Sequence, residues 1–191
     1  MINRAISLLS TSLNQYLRRQ FDLAEDVAVP SNIVEHDGAV VPHTNNKLLI
    51  SLVNVEREAG PGSHWQNGSV VEGDAVKRYP PVHLNLYLMF TANFSGTNYT
   101  EALKFLSHVV GYFQCNPVFN HTNAPDLDSA IEKLTLDIEN LNMRDLSSLW
   151  TVISGKYMPS ILYKVRMITY DGQEITARIP KVTTPEPAVV P

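Results

Sequence analysis

The residues best suited to chemistry in this sequence stand on one alternating segment. In "VHLNLYLMFTA", Val82 to Ala92, apolar residues occupy the even positions, and His83 and Asn85 lie among the odd ones. A period of two is typical of a β-strand, so both side chains should project from the same face of a sheet. A histidine there suits proton transfer in an active site, whereas a polar face that merely presents His83 and Asn85 suits the binding of something large.

The other candidates for catalysis or metal binding are weak. The histidines are scattered without zinc-site spacing: His36, His43, His64, His83, His108 and His121. Asp126 and Asp128 are better explained as loop acids than as calcium ligands, because a second carboxylate cluster with EF-hand spacing is missing. The single cysteine, Cys115, is better explained as a small apolar residue than as a nucleophile. The sequence therefore predicts no catalytic residue, no metal site and no cofactor.

Motif searches and bulk charge narrow the function classes further. The sequence has no GxGxxG, no GxxxxGK[ST] and no GxSxG pattern, which removes the simplest arguments for a nucleotide site or a serine nucleophile. The formal net charge of −4 argues against non-specific nucleic-acid binding. No apolar run approaches the length of a membrane span. The enzymatic alternative that remains is a small hydrolase pairing one histidine of the 83, 108 and 121 set with a carboxylate.

Charge is distributed over two further alternating segments. In "KLTLDIENL", Asp137 and Glu139 lie opposite the apolar positions, and in "SILYKVRMITY" Lys164 and Arg166 do. One interpretation is in-sheet pairing of opposite charges, worth roughly 0.2–1 kcal/mol per pair. The other is that one of these strands pairs across a subunit boundary, where the charges set the register. These four residues are the candidate interface residues.

The elements that must position these side chains follow from the periodicity. We expect helices over 2–19, from Asn98 to just before Pro117, and from Asn142 to Gly155, and strands near 27–34, 48–55, 82–92, 133–140 and 161–170. Asn98 with Glu101, and Asn142 with Asp145, are predicted capping pairs. The fold class is therefore α/β or α+β, with one mixed, largely antiparallel sheet flanked by about three helices.

Two segments interrupt this pattern. Residues 57–80 are rich in glycine and proline, which predicts an exposed loop or hairpin and a candidate partner contact. After the turn at Asp171-Gly172, "EITARIP" could return as a hairpin strand. We predict one domain over 1–172 and an extended, proline-rich tail over 173–191. We expect its last part, "PKVTTPEPAVVP" at 180–191, to be mobile unless a partner holds it.

Several of these segments together resemble a known family. They occur in the order "LLISLVNVEREA", "PPVHLNLYLMFTANFSGTNYTEALKFLSHVVGYFQCNPVF" and "KLTLDIENLNMRDLSSLWTVISGKYMPSILYKVRMI", after an N-terminal amphipathic helix. The chain from Ile2 to about Ile168 resembles the N-terminal domain of tail-terminator, or cap, proteins of extracellular contractile injection systems. These are phage-tail-like particles of the antifeeding-prophage and Photorhabdus-virulence-cassette type.

The resemblance implies a structural role without catalysis. Such caps form a hexameric ring at the end of the particle distal to the baseplate, where they contact the last rings of tube and sheath and end polymerisation. It implies a fold like that of phage tail terminators, assembly in the bacterial cytoplasm, and a place in a released or cell-retained particle. The partners are then other copies of the chain and the tube and sheath proteins, with no nucleic acid and no membrane. An adaptor on the baseplate side of the same particle is the alternative within this class.

Overall fold

The computed structural model describes residues 1–35, 37–39, 41–58, 70–71, 74–77, 83–153, 156–169 and 177–179. Most of the glycine-rich segment 57–80, the end of the third predicted helix at Gly155 and the tail residues 180–191 lie outside the described residues.

A six-stranded sheet organises the described chain. Its strands lie in the order β1-β2-β5-β8-β7-β6, with β1 parallel to β2 and every other pair antiparallel. Their bounds are β1 Ala28–Pro30, β2 Lys47–Arg57, β5 His83–Asn93, β6 Val118–Asn120, β7 Ile131–Ile138 and β8 Ser160–Thr169. The predicted mixed, largely antiparallel sheet is confirmed.

Three helices accompany the sheet, as expected. They are α1 Ile2–Phe21, α2 Tyr99–Cys115 and α3 Met143–Ile153, and a 3-10 turn at Gly96–Asn98 leads into α2. The capping prediction succeeds at α3, where the Asn142 Oδ1 accepts the N–H of Asp145 at 2.9 Å. At α2 it was wrong, because Asn98 makes no side-chain capping bond. The 3-10 turn already carries the chain into this helix.

The first face of the sheet carries the main core, beneath α1 and α2. The even positions of β5, from Leu86 to Ala92, are buried there, as the alternation predicted. The other members come from the stripes of both helices and from the neighbouring strands, among them Leu9, Leu13, Phe105, Val109, Phe113, Leu136, Tyr163 and Val165. Deep burial of these large apolar side chains provides the main stabilisation of the fold.

The second face is half covered, by α3. Met89, Trp150, Leu162 and Ile33 form a smaller buried cluster there. Among the described residues of α3, Trp150 is the one that is fully buried. The rest of this face is polar, and it includes His83 and Asn85.

A second, three-stranded sheet was not predicted as a separate unit. It consists of β3 Val70–Val71, β4 Asp74–Lys77 and β9 Ala177–Ile179, in the order β3-β4-β9. The antiparallel pair β3–β4 confirms the hairpin alternative for the glycine-rich segment. The strand in "EITARIP" does form, but it pairs with β4 and does not return along β8.

Asparagine side chains close the outer edges of both terminal strands of the main sheet. On β1, Asn14 of α1 accepts the N–H groups of Val27 and Ala28 and donates to the carbonyl of Ala28 at 2.7 Å. On β6, Asn123 accepts the N–H of Asn120 and donates to the carbonyl of Val118. Each carboxamide has an oxygen that accepts and an NH2 group that donates, so it satisfies backbone groups that a further strand would otherwise bind.

Candidate functional site

The polar part of the second face is ordered in rows that cross four strands. One row runs Asn54, Tyr87, Lys164, Asp137 from β2 to β7. The next row runs Glu56, Asn85, Arg166, Thr135. A bulge in β2 between Leu52 and Asn54 shifts the register, so Asn54 and Glu56 reach this face. We call these two rows the polar rows.

The candidate interface residues all belong to or adjoin these rows. Lys164 stands directly opposite Asp137, so β7 and β8 are neighbours, as the in-sheet interpretation requires. No ion pair joins these two side chains within the described part of the chain. Glu139 follows the end of β7, where its N–H donates to the carbonyl of Leu162 at 2.9 Å. The alternation of each strand therefore predicted which side chains share a face of the sheet, but not which side chains they contact.

Arg166 pairs with a residue that the sequence did not single out. Its Nε lies 3.5 Å from the Oε1 of Glu58, although Thr135 is its register neighbour on β7. Arg166 and Glu58 are both partly exposed, so water screens this pair, and its contribution to stability is modest. No sequence signal would have found Glu58, because it reaches this face through the bulge in β2, which the sequence does not mark.

Tyr87 of the first row contacts Glu56 of the second row and Lys164 of its own row. Its hydroxyl donates to the Oε2 of Glu56 at 2.9 Å, and the Nζ of Lys164 lies 5.9 Å from its ring centroid. Burial raises the pKa of Tyr87, and the hydrogen bond to Glu56 and the charges of Glu56 and Glu139 raise it further. In the sequence, only the odd position of Tyr87 on the predicted strand indicated that it lies on this face.

His83 and Asn85 lie on the face that the alternation predicted. Asn85 is 4% exposed, and its Oδ1 has no hydrogen-bond partner within the described residues. His83 is half-buried two positions along the same strand. The polar rows therefore form a surface whose hydrogen-bond donors and acceptors are spread over four strands.

The idea that a charged strand pairs across a subunit boundary is restricted by the topology. β8 lies between β5 and β7, so neighbours within the chain occupy both of its edges. Lys164 and Arg166 can therefore meet another molecule through their side chains, not through the backbone of their strand. Asp137 lies on β7 beyond the part that β6 covers, since β6 pairs with residues 133–135.

Among the residues that the structure describes, no hydrogen bond or ion pair joins His83, His108 or His121 to a carboxylate. The Nδ1 of His108 lies 3.0 Å from the hydroxyl of Tyr16, between α1 and α2. The Nε2 of His121 lies 2.9 Å from the carbonyl of Ile131. No group of three or more potential metal ligands occurs among the residues searched. Within the described residues, no helix is both long and apolar enough for a membrane span.

Comparison with known proteins gives one family and two similar structures. A family model described as the Pvc16 N-terminal domain matches residues 6–184. The cryo-EM structure of the PVC sheath/tube terminator of an extracellular contractile injection system, in its extended state, superposes with a TM-score of 0.63 at 15% identity, covering 96% of this chain. The anti-feeding prophage cap, a tube-terminating cap, superposes with a TM-score of 0.55 at 13% identity, covering 91%.

These matches share the fold over most of this chain. The chain spans 62% of the length of the PVC terminator and 58% of that of the anti-feeding prophage cap. No curated protein matches the sequence significantly.

Proposed function

This chain belongs to the Pvc16 N-terminal domain family, and we propose that it caps the distal end of a phage-tail-like contractile injection particle. In this proposal it terminates the tube and the sheath and has no catalytic role. The observation that carries the proposal is the family match over 6–184, together with a fold shared with one sheath/tube terminator and one tube-terminating cap.

The proposed working form is a closed ring, which we take to be hexameric. A ring requires two different surfaces on each protomer, because a heterologous contact closes only when each copy binds the next in the same way. The chain presents dissimilar surfaces, with α1 and α2 over one face of the sheet and the polar rows with α3 on the other. We propose that the polar rows lie at a contact with a neighbouring copy or with the polymer beneath.

Two further parts of the proposal concern chain organisation and place of assembly. We propose a domain over 1–172 and an extended tail over 173–191, within which β9 pairs with β4. We also propose that the glycine-rich segment 57–80 and residues 180–191 contact tube or sheath. We also propose assembly in the bacterial cytoplasm before the particle is released or retained.

Particle length tests the function. In a strain that lacks this gene, electron microscopy should show tubes or sheaths of uncontrolled length, or sheaths that lose their distal ends. Complementation should restore the length distribution of the parent. Particles of normal length with intact distal ends would remove the cap proposal and favour the baseplate adaptor, which labelled protein at the opposite end would identify.

Charge reversal on the polar rows is expected to separate contacts within a protomer from contacts between protomers. Lys164→Glu places two acids opposite each other on β7 and β8, because its register neighbour is Asp137. The in-sheet cost should be about 0.5 kcal/mol in the free energy of unfolding, measured by urea denaturation. If Lys164 also contacts a neighbouring copy, the fraction of protein assembled into rings, measured by sedimentation, should fall much more than this small loss of stability would cause.

The matched control is the swap Lys164→Glu with Asp137→Lys. The swap restores opposite charges within the sheet, so the free energy of unfolding should return to that of the parent. Ring formation should stay impaired in the swap if the contact is between protomers. Unchanged assembly in Lys164→Glu and in Arg166→Glu would contradict a role for these side chains at the ring contact.

A further inference from the structure

The longest uncovered backbone edge of the main sheet, among the described strands, lies on β2, while β6 leaves only short parts of β7 uncovered. β1 covers β2 only along Leu48–Ile50, and the outer edges of β1 and β6 are closed by asparagine side chains. From Leu52 to Arg57, β2 has no neighbouring strand on its outer side among the residues that the structure describes. We call this stretch the open edge.

The direction of the free groups in the first half of the open edge follows from the hydrogen bonds to β1. The N–H of Leu48 donates to the carbonyl of Val27, and the carbonyl of Ile50 accepts from Ser31. Residues 48 and 50 therefore direct their backbone groups outward, and by the alternation of a strand so does Leu52.

Beyond the bulge, the outward positions change parity. The N–H of Glu58 donates inward to the carbonyl of His83, so Val55 and Arg57 direct their groups outward. The Oδ1 of Asn54 accepts the N–H of Val55 at 2.9 Å. The open edge thus offers the N–H and C=O of residues 52 and 57 and the C=O of residue 55.

The side chains on the two sides of this edge are of different character. Leu52 is 41% exposed and Val55 is 39% exposed, on the same side as α1 and α2. On the other side a groove of about 400 Å³ separates β2 from α3. Its walls combine apolar side chains, among them Val53, Leu149 and Val152, with the three carboxylates of Glu56, Glu139 and Asp145.

We propose that the open edge, Leu52–Arg57, binds an extended segment of another protein as an added strand. Backbone hydrogen bonds to residues 52, 55 and 57 hold the segment, and its side chains alternate between two environments. Apolar side chains cover Leu52 and Val55, and lysine or arginine side chains on the opposite side extend toward Glu56 at the near end of the groove, whose far end carries Glu139 and Asp145. Charge complementarity with three carboxylates selects a basic partner segment over an acidic one.

The bulge and the charges of the edge make this binding selective. Bulges and charged residues on edge strands discourage indiscriminate pairing. Here the bulge removes one ladder position and Asn54 occupies one N–H, so an incoming strand must match a gapped register. The proposal concerns this edge alone and does not depend on the ring or on the capping function.

Binding of defined peptides tests the proposal on the full chain. The probe is a blocked eight-residue peptide alternating valine with lysine, compared with one alternating valine with glutamate. We expect the lysine peptide to bind, as measured by fluorescence anisotropy, and to slow hydrogen exchange at the amides of Leu52 and Arg57. The glutamate peptide should bind at least tenfold more weakly. Glu56→Gln should weaken binding of the lysine peptide severalfold and reduce its dependence on salt, because Glu56 lies on β2 itself.

A pair of substitutions at residue 57 separates backbone from side chain. Arg57→Pro removes the outward N–H, which a strand edge tolerates, and should weaken binding at least tenfold. Arg57→Ala keeps this N–H and should change binding by no more than about threefold, since only the side chain is lost. Circular dichroism and urea unfolding confirm that both variants are folded.

Three outcomes would overturn the proposal. The first is that the lysine peptide fails to bind, or binds no better than the glutamate peptide. The second is that Arg57→Pro binds the lysine peptide as tightly as Arg57→Ala does. Alternatively, the chain without peptide forms a concentration-dependent oligomer that protects the same amides, which would make a second copy of the chain the occupant of the open edge.

Discussion

Asn14→Ala is expected to lower the free energy of unfolding by about 4 kcal/mol, because it leaves two buried backbone donors without partners at about 1–3 kcal/mol each and opens space in the core. The donors are the N–H groups of Val27 and Ala28, which lie 3.0 and 2.8 Å from the Asn14 Oδ1. The carbonyl of Ala28 keeps a bond to the hydroxyl of Ser10 at 2.9 Å. Urea denaturation monitored by circular dichroism measures the loss, and hydrogen exchange at Val27 and Ala28 should accelerate with it.

Two matched variants separate burial from hydrogen-bond number. Ser10→Ala removes one bond to the carbonyl of Ala28, which still accepts from Asn14, so its cost should be about 1 kcal/mol. Asn123→Ala removes the equivalent cap of β6, where water can replace the lost partner, and should also cost about 1 kcal/mol. A loss at Asn14 no larger than at Asn123 would contradict the view that burial makes this cap important.

The outer strands of the sheet show what a sequence cannot supply. Alternation predicted β2, β5, β7 and β8 closely, because each buries at least one face and its apolar period is set by the core. The strand predicted near 27–34 forms as β1, although it has only three residues. β6 was not predicted, because three residues are too few for a period to be measured. Asn14 and Asn123 satisfy the outer edges of these two strands. Asn14 is distant in sequence from its partner Ala28, and Asn123 lies in the turn after β6, so neither contact follows from a local pattern.

For a similar reason, the alternation predicted which face carries the candidate interface residues, but not which side chains they contact. The period of two placed Lys164, Arg166 and Asp137 on one face, and the structure places them in adjoining rows. The partner of Arg166 is Glu58, which reaches this face through a bulge that the sequence does not mark. Tyr87 joins the rows through Glu56, a pairing that depends on the neighbour order β2-β5-β8. Strand order is a long-range property, which local periodicity does not encode.

A cap that ends a polymer needs surfaces that accept no further subunit as well as surfaces that bind its neighbours. Closed edges on β1 and β6 prevent the sheet from growing at those strands, while the open edge on β2 offers one defined place for a further strand. The polar rows and the groove beside α3 add side-chain contacts that carry charge of both signs. Such a division of surfaces is consistent with the proposed terminator, in which each side of the protomer meets a different neighbour.

Tyr163 is expected to make the protein lose stability above pH 10. Its side chain is 2% exposed, packs 5.3 Å from the ring centroid of Phe113 and 5.4 Å from that of Phe90, and its hydroxyl has no hydrogen-bond partner in the described residues. Burial raises the pKa of Tyr163 to about 12. Below pH 10 the hydroxyl is neutral in both states and contributes no pH dependence.

Above pH 10 the unfolded state releases this proton while the native state retains it, so the free energy of unfolding falls by about 1.4 kcal/mol per pH unit. The fall attributable to Tyr163 should reach about 2–3 kcal/mol by pH 12. Tyr163→Phe removes it, and the difference between parent and variant in urea denaturation from pH 9 to 12 isolates it from other titrating groups.

At pH 7 the same variant should equal the parent or exceed it by up to about 1 kcal/mol, because a buried hydroxyl without a partner is replaced by apolar surface. A parallel alkaline loss in the parent and Tyr163→Phe would contradict the raised pKa. A loss of more than about 1 kcal/mol at pH 7 would instead mean that the hydroxyl donates a hydrogen bond in solution. Either result would revise the account of the core beneath α2, where Tyr163 joins β8 to the helix layer.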